Sequence, residues 1–141
     1  MLMKLIQMFP AEKLRQAFWI DGNPTQAVLY GEGYGAGIQK GGAYRADKSF
    51  ILYDVLVSGK WWLDKEAVDD VVSKLGCDVV PYLGRMTLQE IVSLVRKPFA
   101  SKIGTATAEG IVARPIETLF DKKMARIIIK LKTRDFVAGK R

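Results

Sequence analysis

The chain has 141 residues, 49% hydrophobic and 26% charged, and its 22 lysines and arginines outnumber 15 acids for a net charge of +7. That length bounds it to one domain or part of one. No run approaches the roughly 20 apolar residues of a membrane span, and the apolar start, broken by Lys4 and Gln7 and lacking a small-residue cleavage site, does not read as a signal peptide. The lone Cys77 excludes an intrachain disulfide and fits a reducing, intracellular setting. The absence of histidine removes the usual general base and the usual zinc ligand. Any catalysis must therefore run on carboxylates, lysines and a borrowed metal.

In chain order, Pro10 opens a helix with Leu14, Ala17 and Phe18 on one face. Asp21-Gly22-Asn23-Pro24 breaks it. Residues 27–31 read as a strand leading into Glu32. The glycine-rich stretch that follows, residues 31–42, holds six glycines, at 31, 33, 35, 37, 41 and 42. Residues 50–57 form a strong strand, apolar on both faces and therefore buried, and Ser58-Gly59 turns the chain. Asp64 caps a helix carrying Val68, Val71, Val72 and Leu75, with Gly76 as its stop. Val79-Val80 is a short strand closed by Pro81. Thr87-Leu88-Gln89-Glu90 is a capping box ahead of Ile91, Leu94 and Val95. Beyond Pro98 and a small-residue loop come a strand at residues 110–113, a turn around residues 121–123 and a strand at residues 125–132. Strands alternate irregularly with helices, which predicts an α+β fold rather than a doubly wound parallel sheet.

Charge is unevenly placed. Residues 121–141 hold eight lysines and arginines against two acids, whereas residues 1–120 hold 14 against 13. A positive end of this kind attracts phosphate, whether of a nucleotide or of a nucleic-acid backbone. Within it, Lys130 and Lys132 share one strand face with Ile128, leaving Ile127, Ile129 and Leu131 for the core. Glu109 precedes Gly110, which lets backbone come close to a ligand. A carboxylate able to hold a metal and two ammonium groups able to hold phosphate make the chemistry of a nucleoside triphosphate site. The run Gly31-Glu32-Gly33-Tyr34-Gly35 is not a dinucleotide loop, because no helical pattern follows it, and no Gly-Lys-Ser/Thr of a phosphate-binding loop is present. Trp61-Trp62 reads as core packing, Met1, Met3 and Met8 as filler, and Asp69-Asp70 as a solvated pair.

Taken together, Gly31-Glu32-Gly33-Tyr34-Gly35, Gly35 to Lys40, Phe50-Ile51-Leu52-Tyr53-Asp54-Val55, Glu109-Gly110-Ile111-Val112-Ala113-Arg114-Pro115 and Ile127-Ile128-Ile129-Lys130-Leu131-Lys132 resemble the ATP-dependent RNA ligases. These are covalent nucleotidyltransferases, with DNA ligases and mRNA capping enzymes. The resemblance spans residues 27–136 and covers the later part of the family's adenylation domain. It implies a single, partial nucleotidyltransferase domain over residues 1–141, with antiparallel sheets flanking a nucleotide cleft and incomplete at its N-terminus. Glu32 matches the carboxylate that ends a strand beside the ribose, Tyr53 the aromatic stacked on adenine, and Asp54 an acidic neighbour. Glu109 matches the metal-associated glutamate, and Lys130 with Lys132 the pair that contacts the α-phosphate and helps polarise it. Arg114, Arg126 and Arg134 are suited to phosphate forks without an assigned role.

The implied cofactors are ATP and Mg2+, and the implied partners are RNA ends, nicked or single-stranded, with no membrane. The family's nucleophile stands in a Lys-x-Asp/Glu-Gly motif, and no lysine of this sequence has glycine three residues on. The expectation is that a separate chain, or a longer gene product, supplies that segment, and that the isolated chain aggregates or oligomerises through exposed strand surface. The alternatives are a non-catalytic nucleotide- or RNA-binding module and a DNA-ligase or capping-type fragment.

Overall fold

The run Ser-Phe-Ile-Leu-Tyr-Asp-Val-Leu-Val is dense in β-branched and aromatic residues, and in the computed structural model it forms the central strand, β4 (Ser49–Val57), of the first half of the chain. The structure describes residues 5–38, 46–104 and 107–136. The chain divides into two compact units, Met1–Pro81 and Tyr82–Arg141. The architecture is α+β, as the pattern predicts, and among the described residues no helix is long and apolar enough to cross a membrane.

In the first unit β4 pairs antiparallel with β3 (Ala27–Tyr34) and β5 (Trp61–Trp62), and parallel with β6 (Asp78–Val79). That parallel pair is the one departure from the expected antiparallel sheet. Helices α1 (Ala11–Phe18) and α2 (Lys65–Leu75) supply Phe18, Val68, Val71 and Leu75 to a core whose sheet side is Leu52, Val55 and Val57, with Phe50 packed against it. The spacing of these positions changes phase midway along β4. Tyr30 pairs with Asp54 but Gly31 pairs with Leu52, so Tyr53 is the extra residue of a β-bulge. The bulge lets Phe50 and Leu52 before it, and Val55 and Val57 after it, all reach the helices.

Local signals account for most boundaries. Asp64 accepts a hydrogen bond from the Ala67 amide at 2.9 Å, and Gly76 ends α2 with φ 70°. On the exposed face of α2, Lys65 pairs with Asp69, and Lys74 with Asp70 at 2.6 Å, so the two aspartates are solvated as expected. Asp21 and Gly22, both at positive φ, do more than stop α1: they turn a tight hairpin between β1 (Trp19–Ile20) and β2 (Asn23–Pro24). Gly31 is fixed by packing, since a methyl there would overlap the Phe50 ring and the Ile51 carbonyl.

In the second unit α3 (Leu88–Val95) begins with the expected capping box. The Thr87 amide donates to Glu90 Oε2 at 2.7 Å, and the Glu90 amide donates to Thr87 Oγ1 at 3.3 Å. The Thr87 amide, and then the Thr87 hydroxyl donating to the same Oε2 at 3.1 Å, hold the Glu90 carboxyl below its usual range. Val95 is fully buried, and α3 packs against an antiparallel ribbon of β7 (Gly110–Ala113) and β8 (Ile129–Lys132). A 3-10 turn, Thr133–Phe136, follows.

Four expectations need correction. The last strand is Ile129–Lys132 rather than residues 125–132, because the preceding segment belongs to a separate loop closure. Ile127 and Ile129 are 43% and 39% exposed rather than core, since a two-stranded ribbon with one helix cannot cover every apolar position. Trp61 is 69% exposed on the two-residue edge strand β5, and Trp62 is half-buried outside the core cluster. Glu32 lies inside β3 rather than at its end, because Gly33 and Tyr34 continue the ladder. Met1 and Met3 lie outside the described residues.

The two kinds of support separate by magnitude. Leu52→Ala should lower unfolding free energy by about 3 kcal/mol through a buried void, and Thr87→Ala by about 1 kcal/mol through a lost cap. Urea denaturation would measure both, and equal losses would contradict the placement of the core on β4.

Candidate functional site

Period-two alternation along β3 turns Tyr30, Glu32 and Tyr34 to the sheet face opposite the helices. Their intervening glycines lie on the other side, where Gly31 meets Phe50 and Gly33 meets Leu5. The bulge adds Tyr53 to the open face. The Tyr53 hydroxyl donates a hydrogen bond to Glu32 Oε2. Thus two residues 21 positions apart, both singled out by the resemblance, are in direct contact. Partial burial, then the hydrogen bond to Glu32, then the nearby carboxylate charge all push the Tyr53 phenol well above its ordinary range. It remains a neutral donor at physiological pH.

Around this pair the same face carries residues that sequence reasoning missed. Tyr30 packs on Trp62 with ring centroids 5.3 Å apart and planes at 42°. Tyr34 Oη and Ser49 Oγ both donate to Asp78 Oδ2, at 2.9 and 2.5 Å. Alternation outward from Glu32 would have flagged Tyr30 and Tyr34; Asp78 and Trp62 depend on strand order and carried no signal. Asp54, half-buried, sits beside Tyr53 opposite Tyr30. Of the stretch from Gly35 to Lys40, Gly35 and Gly37 take positive φ in the turn after β3. Gln39 and Lys40, with Gly41 and Gly42, lie outside the described residues.

In the second unit the register sets Lys132 opposite Gly110 and Lys130 opposite Val112. Both lysines therefore share one face of the ribbon, as the spacing predicts. The Glu109 carbonyl accepts from the Thr133 amide at 3.0 Å, which anchors the backbone just before β7. Among the described residues no ion pair or side-chain hydrogen bond engages Glu109, Lys130 or Lys132. What approaches Gly110 is the neighbouring strand: a methyl there would overlap the Leu131 carbonyl. Its smallness therefore serves the ribbon.

Among the described residues no group of three or more His, Cys, Asp or Glu is placed to hold a metal. A divalent ion would take one oxygen from Glu109 and the rest from phosphate and water. That suits Mg2+, which keeps several waters and binds through one or two carboxylates plus substrate phosphates. Arg126 forms a strand bridge with Phe120, and Arg134 Nε lies 4.0 Å from Asp135 Oδ1.

The Tyr53–Glu32 contact has a pH signature. Because the folded-state phenol is raised, the unfolded chain loses its proton first. The associated stability is complete below the unfolded value of about 10 and is lost as pH rises above it. Ultraviolet titration should show one phenol ionising above the ordinary tyrosine range, and Glu32→Gln should bring it down part of the way. An unchanged titration in that variant would contradict the contact.

A family model described as RNA ligase matches residues 7–132. A search of curated proteins finds no match.

Proposed function

The chain belongs to the RNA ligase family, and on that premise we propose that it is the later part of an ATP-dependent adenylation domain of nucleotidyltransferase type, a single functional domain that joins RNA ends. The observation that carries this reading is the Tyr53–Glu32 pair, an aromatic ring and a carboxylate held together on an open sheet face. Tyr53 offers a flat π-surface to adenine, and Glu32 accepts from a ribose hydroxyl. Lys130 and Lys132 bind the α-phosphate and stabilise the charge that develops on it. Glu109 would supply an oxygen to Mg2+, which when bound would neutralise phosphate charge.

In the full reaction a lysine amine attacks the α-phosphorus of ATP, forming a P–N bond while pyrophosphate leaves. The AMP then passes to a 5′-phosphate RNA end, regenerating the amine. A 3′-hydroxyl finally displaces AMP to form the phosphodiester. No lysine in this sequence stands in the Lys-x-Asp/Glu-Gly setting, so the nucleophile comes from a segment outside it, on the same or a separate chain. The same observation supports a second reading, a non-catalytic nucleotide- or RNA-binding module.

Equilibrium ATP binding with Mg2+ tests the site. Tyr53→Ala should weaken binding about tenfold or more, given that base stacking is worth ~1–3 kcal/mol, whereas Tyr53→Phe should retain most of it. Unaltered binding in both Tyr53→Ala and Glu32→Ala would overturn the assignment. With ATP labelled at the α-phosphate, the chain alone should give no labelled band on a denaturing gel. Label and RNA sealing should appear when the lysine-bearing segment is added, and failure of sealing with intact ATP binding would favour the binding module.

A further inference from the structure

Between β7 and β8 the chain makes an excursion, residues 114–128, with four lysines and arginines against two acids. It is not an irregular loop. The Ile127 amide donates to the Leu119 carbonyl at 2.8 Å, Phe120 bridges Arg126, and the Asp121 amide donates to the Ala125 carbonyl at 2.9 Å. Asp121 then closes the end, its Oδ1 accepting from the Lys123 and Ala125 amides at 2.8 and 2.9 Å. Met124, at φ 62°, is locked in the left-handed region by its own amide, which donates to the Asp121 carbonyl at 3.0 Å. The result is a rigid hairpin tip whose one carboxylate is turned onto backbone amides.

What the tip presents outward is Lys122, Lys123 and Met124. Among the described residues neither lysine side chain has a partner. Met124 is 74% exposed, a degree of exposure that nothing in the local fold requires. Two unneutralised ammonium groups beside an apolar, polarisable side chain suit a single strand of RNA. Lysines so placed can neutralise successive phosphates, and a thioether can pack on a base. Lys123 and Lys130 are seven positions apart, at most roughly 23 Å of extended chain, so the tip can reach parts of a polynucleotide that one bound nucleotide does not occupy.

We propose that the 121–125 hairpin tip is an RNA-strand contact, with Lys122 and Lys123 on the backbone and Met124 against a base. This deepens the ligase reading, resting on its RNA substrate but not on the nucleotide site. The test is fluorescence anisotropy of a labelled single-stranded RNA with the full chain over a range of salt concentrations. Lys122→Ala with Lys123→Ala should weaken binding on the order of tenfold at low salt and flatten the log–log salt slope by about 1.4, at ~0.7 per phosphate on single strands. Met124→Asn, tolerant of the left-handed backbone, should weaken binding and leave the slope unchanged. An unchanged slope in the double variant, or wild-type chain that does not bind RNA, overturns the proposal. So does a double variant that changes only the oligomeric state by light scattering, which would make the tip a contact between copies. ATP binding measured on the same preparations keeps the two readings apart. Loss of ATP binding in the wild type would defeat the nucleotide site, while the tip is still judged by its salt slope.

Discussion

The phase of β4 governs the first unit. Leu52 and Val55 are both fully buried against the helices, yet they lie three apart on a strand whose natural period is two. Only an inserted residue reconciles them, and Tyr53 is that residue. The core thus dictates the bulge, and the bulge sets an aromatic ring on the open face within hydrogen-bond reach of Glu32. Full burial of a leucine is worth about 2–3 kcal/mol, more than a partly exposed hydrogen bond contributes. The direction of causation therefore runs from packing to site.

The second unit is built on close approach rather than on a large core. Gly110 admits the Leu131 carbonyl, the ribbon closes, and α3 covers one side with Val95 at its centre. The lysines of β8 are left on the other side, held by a register that is fixed at four successive pairs. Exposed Ile127, Ile128 and Ile129 are the consequence of so thin a layer.

Local chemistry was legible in the sequence wherever one residue type decides the outcome. Asp64 and Gly76 delimit α2, Thr87 and Glu90 start α3, and the lysine spacing on β8 survives in the register. The contact between Tyr53 and Glu32 was legible only through resemblance, because the bulge that creates it arises from core residues on both sides rather than from any local signal. The parallel β4–β6 pair, the Tyr30–Trp62 stack and the exposure of Trp61 were not legible, since each depends on which strands become neighbours. Asp21-Gly22 reads as a break but is a hairpin turn, because its partner strands, two residues each, are too short to show a pattern.

Asp78 carries a consequence for how this unit assembles. Its carboxylate gathers hydroxyls from Tyr34 and Ser49, which are 44 and 29 positions away in the chain. Its strand, β6, joins β4 in parallel, which requires the whole of α2 as a crossover. No local segment can form this junction early, because three distant pieces must arrive together and loop closure opposes each of them. The polar end of the sheet therefore rests on long-range closure rather than on any local segment.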